Sequence, residues 1–179
     1  MKKTILITGG TGYIGSHGVV AFEEAGYKCV IIDNLVNSSI DVLDGIEKIL
    51  GYKIDFFDID LRDKDKLKEI FQKYNFDGVL HFAGLKAVGE SCEKPILYYD
   101  NNIVGSLKLF EVMQEFGVKN IIFSSSATVY KELKTKNRES RGFLETDEIG
   151  DCSNPYGTSK YLIEQVLLDL SKFAGFKVM

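Results

Sequence analysis

A glycine-rich segment follows the first apolar stretch of the chain, and it limits the folds that are open to this sequence. Residues 4–8 form an apolar and β-branched run typical of a buried strand, and glycines then stand at positions 9, 12 and 15. A helical pattern continues from Gly12 to Gly26. A tight turn, the close approach of a pyrophosphate and close packing of helix on strand each require a residue without a side chain. Because the spacing lies between a strand and a helix, it predicts a phosphate-binding loop instead of an ordinary glycine turn.

Short apolar runs alternate with helical patterns along the rest of the chain. Strands are expected over residues 28–32, 53–57, 78–82 and 120–124, and helices over residues 40–50, 64–74, 94–116 and 155–174. Continuous apolar strands between helices predict a parallel sheet that is covered on both faces. The expected fold is therefore α/β, a doubly wound parallel sheet of the Rossmann-like type, formed as one domain by residues 1–179.

Two segments in the second half of the chain depart from this regular alternation. Residues 131–153 are polar and rich in charge, and we expect them to form a long loop. Residues 176–179 look like the first residues of a sixth strand, so we expect the sixth strand to be truncated.

Composition and charge argue against several other classes of protein. The 179 residues carry 22 basic and 26 acidic side chains, a formal net charge of −4, which argues against a nucleic-acid-binding protein. No apolar run approaches the ~20 residues of a membrane span, and the first residues lack a signal-peptide cleavage site, so we expect a cytoplasmic protein without a membrane anchor. Cys29, Cys92 and Cys152 lie far apart, which predicts reduced thiols and neither a disulfide framework nor a metal site.

Two aspartates lie close to the ends of predicted strands. Asp33 comes 18 residues after Gly15, close to the offset of about 20 residues at which a carboxylate binds ribose hydroxyls. A carboxylate there repels a 2′-phosphate, so Asp33 favours NAD over NADP, unless it only caps a turn. Asp60 and Leu61 follow the third strand and could contact an adenine edge, whereas a capping role for the next helix is the open alternative.

A tyrosine and a lysine lie on one face of the last predicted helix. Tyr156 and Lys160 are four residues apart, and a neighbouring ammonium group stabilises the phenolate form of a tyrosine. Such a phenolate can exchange a proton with a substrate hydroxyl. Ser124, Ser125 and Ser126 follow the fifth strand, at the edge where parallel sheets bind ligands. A serine hydroxyl there can hydrogen-bond a reacting oxygen, and strand-end capping is the alternative role for Ser124 and Ser125.

Five segments resemble the extended short-chain dehydrogenase/reductases, and among them the epimerases that act on nucleotide sugars. They are residues 8–17, 33–38, 81–91, 98–102 and 123–130. The resemblance covers nearly the whole chain apart from residues 131–150, and it implies an NAD-dependent isomerase of galactose metabolism. Such an enzyme interconverts UDP-glucose and UDP-galactose by oxidising and re-reducing C4 of the sugar. The resemblance also implies a homodimer and a C-terminal substrate domain, which we expect to be absent from this chain.

The resemblance assigns site residues position by position. Ser126, Tyr156 and Lys160 form the implied catalytic set, in which the tyrosine takes the proton of the 4-hydroxyl group. The serine hydrogen-bonds O4, and the lysine holds the nicotinamide ribose and favours the tyrosine anion. The expected NAD-binding residues are Gly9, Gly12, Tyr13, Ile14, Gly15, Asp33, Asn34, Leu35, Asn37, Ser38, Asp60, Leu61, Phe82, Ala83, Gly84, Lys86, Asn101, Tyr156 and Lys160.

Two other interpretations remain open. The chain could bind the dinucleotide without catalysing a reaction. It could also be another nucleotide-sugar enzyme, such as a 4,6-dehydratase, but that chemistry requires an additional acid/base pair just after the threonine of the serine strand. Thr128 is followed by no acidic residue before Glu132, which disfavours the dehydratase.

Overall fold

Six parallel strands form the centre of the computed structural model, which describes residues 2–131 and 142–179. The strands are β1 (Thr4–Thr8), β2 (Lys28–Asp33), β3 (Asp55–Asp58), β4 (Gly78–His81), β5 (Asn120–Phe123) and β6 (Lys177–Val178). They lie in the order β3-β2-β1-β4-β5-β6, and every neighbouring pair is parallel. The strand order reverses between β1 and β4, and a ligand crevice is expected at such a switch point. The predicted doubly wound α/β fold is confirmed.

Helices cover the sheet on both faces. They are α1 (Tyr13–Glu24), α2 (Val42–Leu50), α3 (Lys64–Lys73), α4 (Val88–Glu93), α5 (Pro95–Tyr99), α6 (Gly105–Glu115) and α7 (Pro155–Ala174). Helices α1 and α2 contribute to one apolar core, and α3, α6 and α7 contribute to the other. Among residues 2–131 and 142–179, no helix combines the length and apolar character that crossing a membrane requires.

The two cores arise from alternation along the strands, because successive side chains of a strand point to opposite faces. In β1, Leu6 belongs to the core beneath α3, α6 and α7, whereas Ile5 and Ile7 belong to the core beneath α1 and α2. Val79 and Leu80 of β4 divide in the same way. Strands buried on both faces explain why the sequence shows continuous apolar runs instead of alternating polar and apolar residues.

The helix expected over residues 94–116 is the largest difference from the sequence-based expectation. It divides into α5, a π-helical turn over Asp100–Val104 and α6, and it is preceded by α4, which the sequence pattern did not indicate. A π-helical turn accommodates one extra residue, and such turns often occur at functional sites. Here the buried Asn102 lies within the turn and hydrogen-bonds outside its own helix. Apolar periodicity alone does not reveal such a local widening.

The expected sixth strand is present as a short segment that pairs with β5. Lys177 lies opposite Asn120, and the backbone of Met179 exchanges hydrogen bonds with Ile121 and Phe123 over 2.9–3.0 Å. In the predicted loop over residues 131–153, residues 132–141 lie outside the described part of the structure. The remainder contacts the domain through a bridge between Tyr130 and Ile149.

Packing of α1 against the loop after β1 leads to a prediction about two helical glycines. A Cβ atom at Gly15 would lie 2.1 Å from the carbonyl oxygen of Gly9, whereas a Cβ atom at Gly45 in α2 would meet no atom within 4 Å. We expect Gly15→Ala to destabilise the fold by about 2–4 kcal/mol through overpacking. Gly45→Ala should stabilise it by about 0.5–1 kcal/mol, because alanine loses less backbone entropy in a helix. Urea unfolding followed by circular dichroism measures both changes, and equal stability of the two variants would contradict the prediction.

Candidate functional site

A cavity of about 1120 Å³, open solvent included, lies at the carboxyl ends of the strands. Its walls come from the segments that follow β1 to β5 and from the first turns of α1 and α7. The residues on its walls that the sequence had singled out are Gly9, Gly12, Tyr13, Ile14, Gly15, Asp33, Asn34, Asn37, Ser38, Asp60, Leu61, Phe82, Ala83, Gly84, Lys86, Asn101, Tyr156 and Lys160. Leu35 and Ser126 are not on the walls. Residues that line the cavity without having been assigned a ligand are Ile32, Val36, Ile59, Ser106, Ser124 and Ser125.

The glycine loop presents the amino end of α1 to this cavity. Gly9 has a left-handed backbone with φ of 71°, and the amide of Gly12 donates to its carbonyl over 3.1 Å. Gly12 begins the helix without any side-chain cap, so the amides of the first turn keep their hydrogens for another acceptor. A twelve-residue helix with uncapped amides and the positive end of its dipole at a cavity is suited to an anion.

Asp33, at the end of β2, is held by three donors. Its Oδ1 accepts from the amide of Leu35 over 3.0 Å and from the Ser38 hydroxyl over 3.2 Å, and its Oδ2 accepts from the amide of Thr11 over 3.1 Å. Because Ser38 donates to the carboxylate, the Thr11 hydroxyl donates to Ser38 over 2.7 Å. A carboxylate offers about four acceptor positions, so one position on Oδ2 stays available for a ligand hydroxyl. Leu35 contributes its backbone to this arrangement and does not line the cavity.

Asp60, after β3, forms the other acidic group of the cavity. Arg62 donates to it from its backbone amide, its Nε and its Nη2 over 2.6–2.9 Å, and Asn34 donates over 3.2 Å. The side-chain hydrogen bonds of Arg62 lower the pKa of Asp60 to about 2. Arg62 also donates to Asp100 over 2.5 Å, and so it joins the end of β3 to the start of the π-helical turn. The helix-cap alternative for Asp60 is wrong, because Asp63 caps α3.

Lys160 lies buried at the opposite end of the cavity. Its Nζ donates to the backbone carbonyl of Ser124 over 2.8 Å and lies 4.6 Å from the centre of the Phe123 ring. Burial lowers the pKa of Lys160 to about 8, although Glu164 acts in the opposite direction. Tyr156, one helical turn earlier in α7, lines the same cavity. The sequence spacing therefore brings the phenol and the amine to one site.

A chain of buried hydrogen bonds supports the floor of the cavity. The Ser106 hydroxyl donates to the carbonyl of Asn102 over 2.5 Å, so Nε2 of His81 donates to Ser106 over 2.8 Å. Nδ1 of His81 then accepts from the Thr8 hydroxyl over 2.7 Å. Burial, together with the charge of Lys160, lowers the pKa of His81 to about 3, so the imidazole stays neutral and keeps this tautomer.

Asn102 connects the loop after β4 to α7. Its amide oxygen accepts from the backbone of Leu85 over 2.8 Å, and its amide nitrogen donates to the carbonyl of the same residue over 3.0 Å. The same nitrogen donates to the hydroxyl of Ser159 over 3.0 Å, and that hydroxyl donates to the carbonyl of Tyr156 over 2.7 Å. The position of the tyrosine is thus tied to the cavity wall that carries Gly84.

The three consecutive serines after β5 have different surroundings. Ser126 caps the 3₁₀ turn Ala127–Val129, where its hydroxyl oxygen accepts from the amide and the hydroxyl of Thr128 over 3.2 and 2.9 Å. Ser124 and Ser125 lie on the cavity wall instead. The strand ends at Phe123, so period-two alternation no longer indicates which serine points to the cavity.

The chain is similar to known proteins over nearly its whole length. Residues 5–179 match the model of the NAD dependent epimerase/dehydratase family. The chain is 49% identical over 170 residues to a UDP-glucose 4-epimerase of Neisseria meningitidis serogroup A and 52% identical over 168 residues to one of Yersinia enterocolitica. These matches cover 95% and 94% of this chain but 49% and 48% of those proteins. The chain therefore spans about half the length of the curated relatives it matches.

Solved structures resemble the fold over nearly the whole chain. The UDP-glucose 4-epimerase of Bifidobacterium longum, in complex with NAD⁺ and UDP, has a TM-score of 0.91 and 43% sequence identity. The enzyme of Thermus thermophilus in complex with NAD has a TM-score of 0.86 and 30% identity. Both matches cover 98% of this chain, and they cover 51% and 53% of those chains. The glycine loop at the strand switch point, the shared fold and the match over residues 5–179 establish that the chain belongs to the NAD dependent epimerase/dehydratase family.

Proposed function

We propose that this chain binds NAD and takes part in the interconversion of UDP-glucose and UDP-galactose by oxidation and re-reduction at C4 of the sugar. The observation that carries the proposal is a single cavity that contains an uncapped helix start, a carboxylate with an open acceptor position and a tyrosine–lysine pair. The names of the relatives from Neisseria meningitidis and Yersinia enterocolitica support the substrate. Those relatives are about twice as long as the region that matches this chain.

The residues present fit a dinucleotide that lies across the ends of the strands. The amides at the start of α1 would hold the pyrophosphate, and the open acceptor position of Asp33 would take a ribose hydroxyl. Tyr13 and Ile14, which expose 76% and 60% of their surface, would cover the ligand at the cavity mouth. When bound, NAD supplies the acceptor for a hydride from the sugar carbon.

Tyr156 would act as the proton acceptor for the 4-hydroxyl group of the sugar. Lys160, on the same face of α7, would stabilise the phenolate by its positive charge and hold the ribose next to it. The carbonyl of Ser124 fixes the ammonium group, so its charge stays close to the reacting groups. An amine buried at such a site lowers the stability of the fold, which is typical of residues retained for function. Ser126 as the partner of O4 stays a prediction.

Selectivity for NAD gives the first prediction for this site. We expect the protein to bind NAD at least about 100-fold more tightly than NADP, because a 2′-phosphate would face the Asp33 carboxylate. Asp33→Asn should narrow that ratio to about tenfold or less. Asp58→Asn is the matched control, because Asp58 is exposed and does not line the cavity. Titration calorimetry with both dinucleotides measures the ratio, and an unchanged ratio in Asp33→Asn would refute this role.

Loss of the phenol tests the reaction itself. Tyr156→Phe should reduce the conversion of UDP-galactose to UDP-glucose at least about 100-fold, because the general base is removed. Tyr161→Phe, the same change on the same helix and away from the cavity, should retain the wild-type rate. A coupled assay that detects UDP-glucose measures both variants. Wild-type protein that binds NAD without any turnover would favour the non-catalytic dinucleotide-binding interpretation instead.

The buried amine predicts a specific dependence of stability on pH. The pKa of Lys160 is lowered to about 8, so the unfolded chain binds one more proton between about pH 8 and 10.5 and the folded state gains stability as pH rises through that window. Relative to Lys160→Met, the wild-type protein should gain about 3 kcal/mol between pH 7 and 10.5. Urea unfolding at both pH values measures this gain. Lys172→Met, at an exposed position of α7, should show no comparable change. If the difference in unfolding free energy between the wild type and Lys160→Met is the same at both pH values, the buried charge is disproved.

A further inference from the structure

The hydroxyl of Ser125 is an exception among the buried polar groups of this protein. It is the one buried side-chain nitrogen or oxygen atom that has no hydrogen-bond partner among residues 2–131 and 142–179. Native structures leave few such atoms unpaired, because a buried hydroxyl without a partner loses its hydrogen bonds to water and gains none in the protein. An unpaired group of this kind therefore calls for a specific reason.

Neighbouring buried hydroxyls show that the fold can satisfy such groups. Ser106 and Ser159 each have a donor and an acceptor, and Thr8 pairs with His81. Ser91, fully buried in α4, donates to the carbonyl of Val88 over 2.6 Å. The exception is thus confined to a residue on the wall of the cavity. A ligand bound in that cavity could supply the hydrogen-bond partner that the described residues do not provide.

The position of Ser125 after β5 indicates which part of the ligand its hydroxyl would contact. The cavity extends across the strand ends, from Asp60 after β3, past the glycine loop after β1, to the segment after β5. Asp33 and the glycine loop lie at the side where ribose and pyrophosphate would bind, and Ser125 lies at the opposite end, next in sequence to Ser124, whose carbonyl accepts from Lys160. This end is the one left for the nicotinamide of the proposed cofactor.

We propose that the Ser125 hydroxyl hydrogen-bonds the carboxamide of the nicotinamide ring, an inference that rests on the proposed binding of NAD. A hydroxyl both donates and accepts, and a carboxamide offers an N–H donor and a carbonyl acceptor, so the two groups match. The oxygen has almost no accessible surface in this structure, so a hydrogen bond to the ligand requires rotation about the Cα–Cβ bond to another staggered rotamer. The oxygen of Ser126 already accepts two hydrogen bonds, so only its O–H remains for a ligand, and it cannot also accept from the carboxamide N–H.

Replacing the serine tests the proposal through two opposite effects. Ser125→Ala removes an unpaired buried hydroxyl, so the melting temperature of the ligand-free protein should rise by about 2–4 °C. The same change removes one hydrogen bond to the ligand, so the dissociation constant for NAD should increase about 5–10-fold. ADP-ribose, which lacks the nicotinamide, should bind the variant and the wild type equally within about twofold. If Ser125 had a purely structural role, its replacement would not raise the melting temperature and also weaken the binding of NAD alone.

Ser91→Ala is the matched control, because it removes a buried serine hydroxyl that is paired and lies outside the cavity. It should lower the melting temperature and leave the affinity for NAD unchanged. If wild-type protein binds NAD and Ser125→Ala binds it equally well, the assignment of Ser125 is overturned and the proposed function stands. Equal weakening of NAD and ADP-ribose also overturns it. If the wild-type protein binds neither ligand, the proposed function itself fails.

Discussion

The first turn of α1 can lie against the loop after β1 only because position 15 carries no Cβ atom. That atom would lie 2.1 Å from the carbonyl oxygen of Gly9. On the other side of the loop, a Cβ atom at Gly9 would lie 2.6 Å from the backbone nitrogen of Ala83. The loop is thus confined between α1 and the end of β4. The same backbone contacts that hold the strand switch point together direct the free amides of the helix into the cavity.

The remaining walls of the cavity depend on buried polar groups whose hydrogen bonds have fixed directions. His81 joins β1 to the segment after the π-helical turn, and Asn102 joins the loop after β4 to α7. Both residues are buried, so loss of a partner would leave a desolvated polar atom behind. Hydrogen bonds of buried residues, and not surface loops, therefore fix the positions of Gly84 and Tyr156. The cavity walls are therefore held by hydrogen bonds between buried residues.

The two ends of the cavity differ in their electrostatics. At one end Asp33 accepts hydrogen bonds from backbone amides, and Asp60 accepts them from Arg62. At the other end Lys160 is buried with a lowered pKa. Near Lys160 the hydroxyl of Ser125 lacks a partner among the described residues. Polar groups that lower the stability of the fold thus lie on the cavity wall, where a ligand can compensate for them, whereas every other buried side-chain nitrogen or oxygen atom of the described residues has a partner.

Local patterns in the sequence determined the fold class, the glycine loop, the carboxylate after β2 and the pairing of Tyr156 with Lys160. Each of these depends on spacing along one element or on a turn between two consecutive elements, and such spacing is fixed by backbone geometry. Tertiary structure alone decided the bridge from Arg62 to Asp100, the π-helical turn and the choice of Ser125 over Ser126 at the cavity wall. These features join residues that are distant in sequence or lie beyond a strand end. The packing of the helices on the sheet determines which residues become their partners, and local sequence periodicity does not predict that packing.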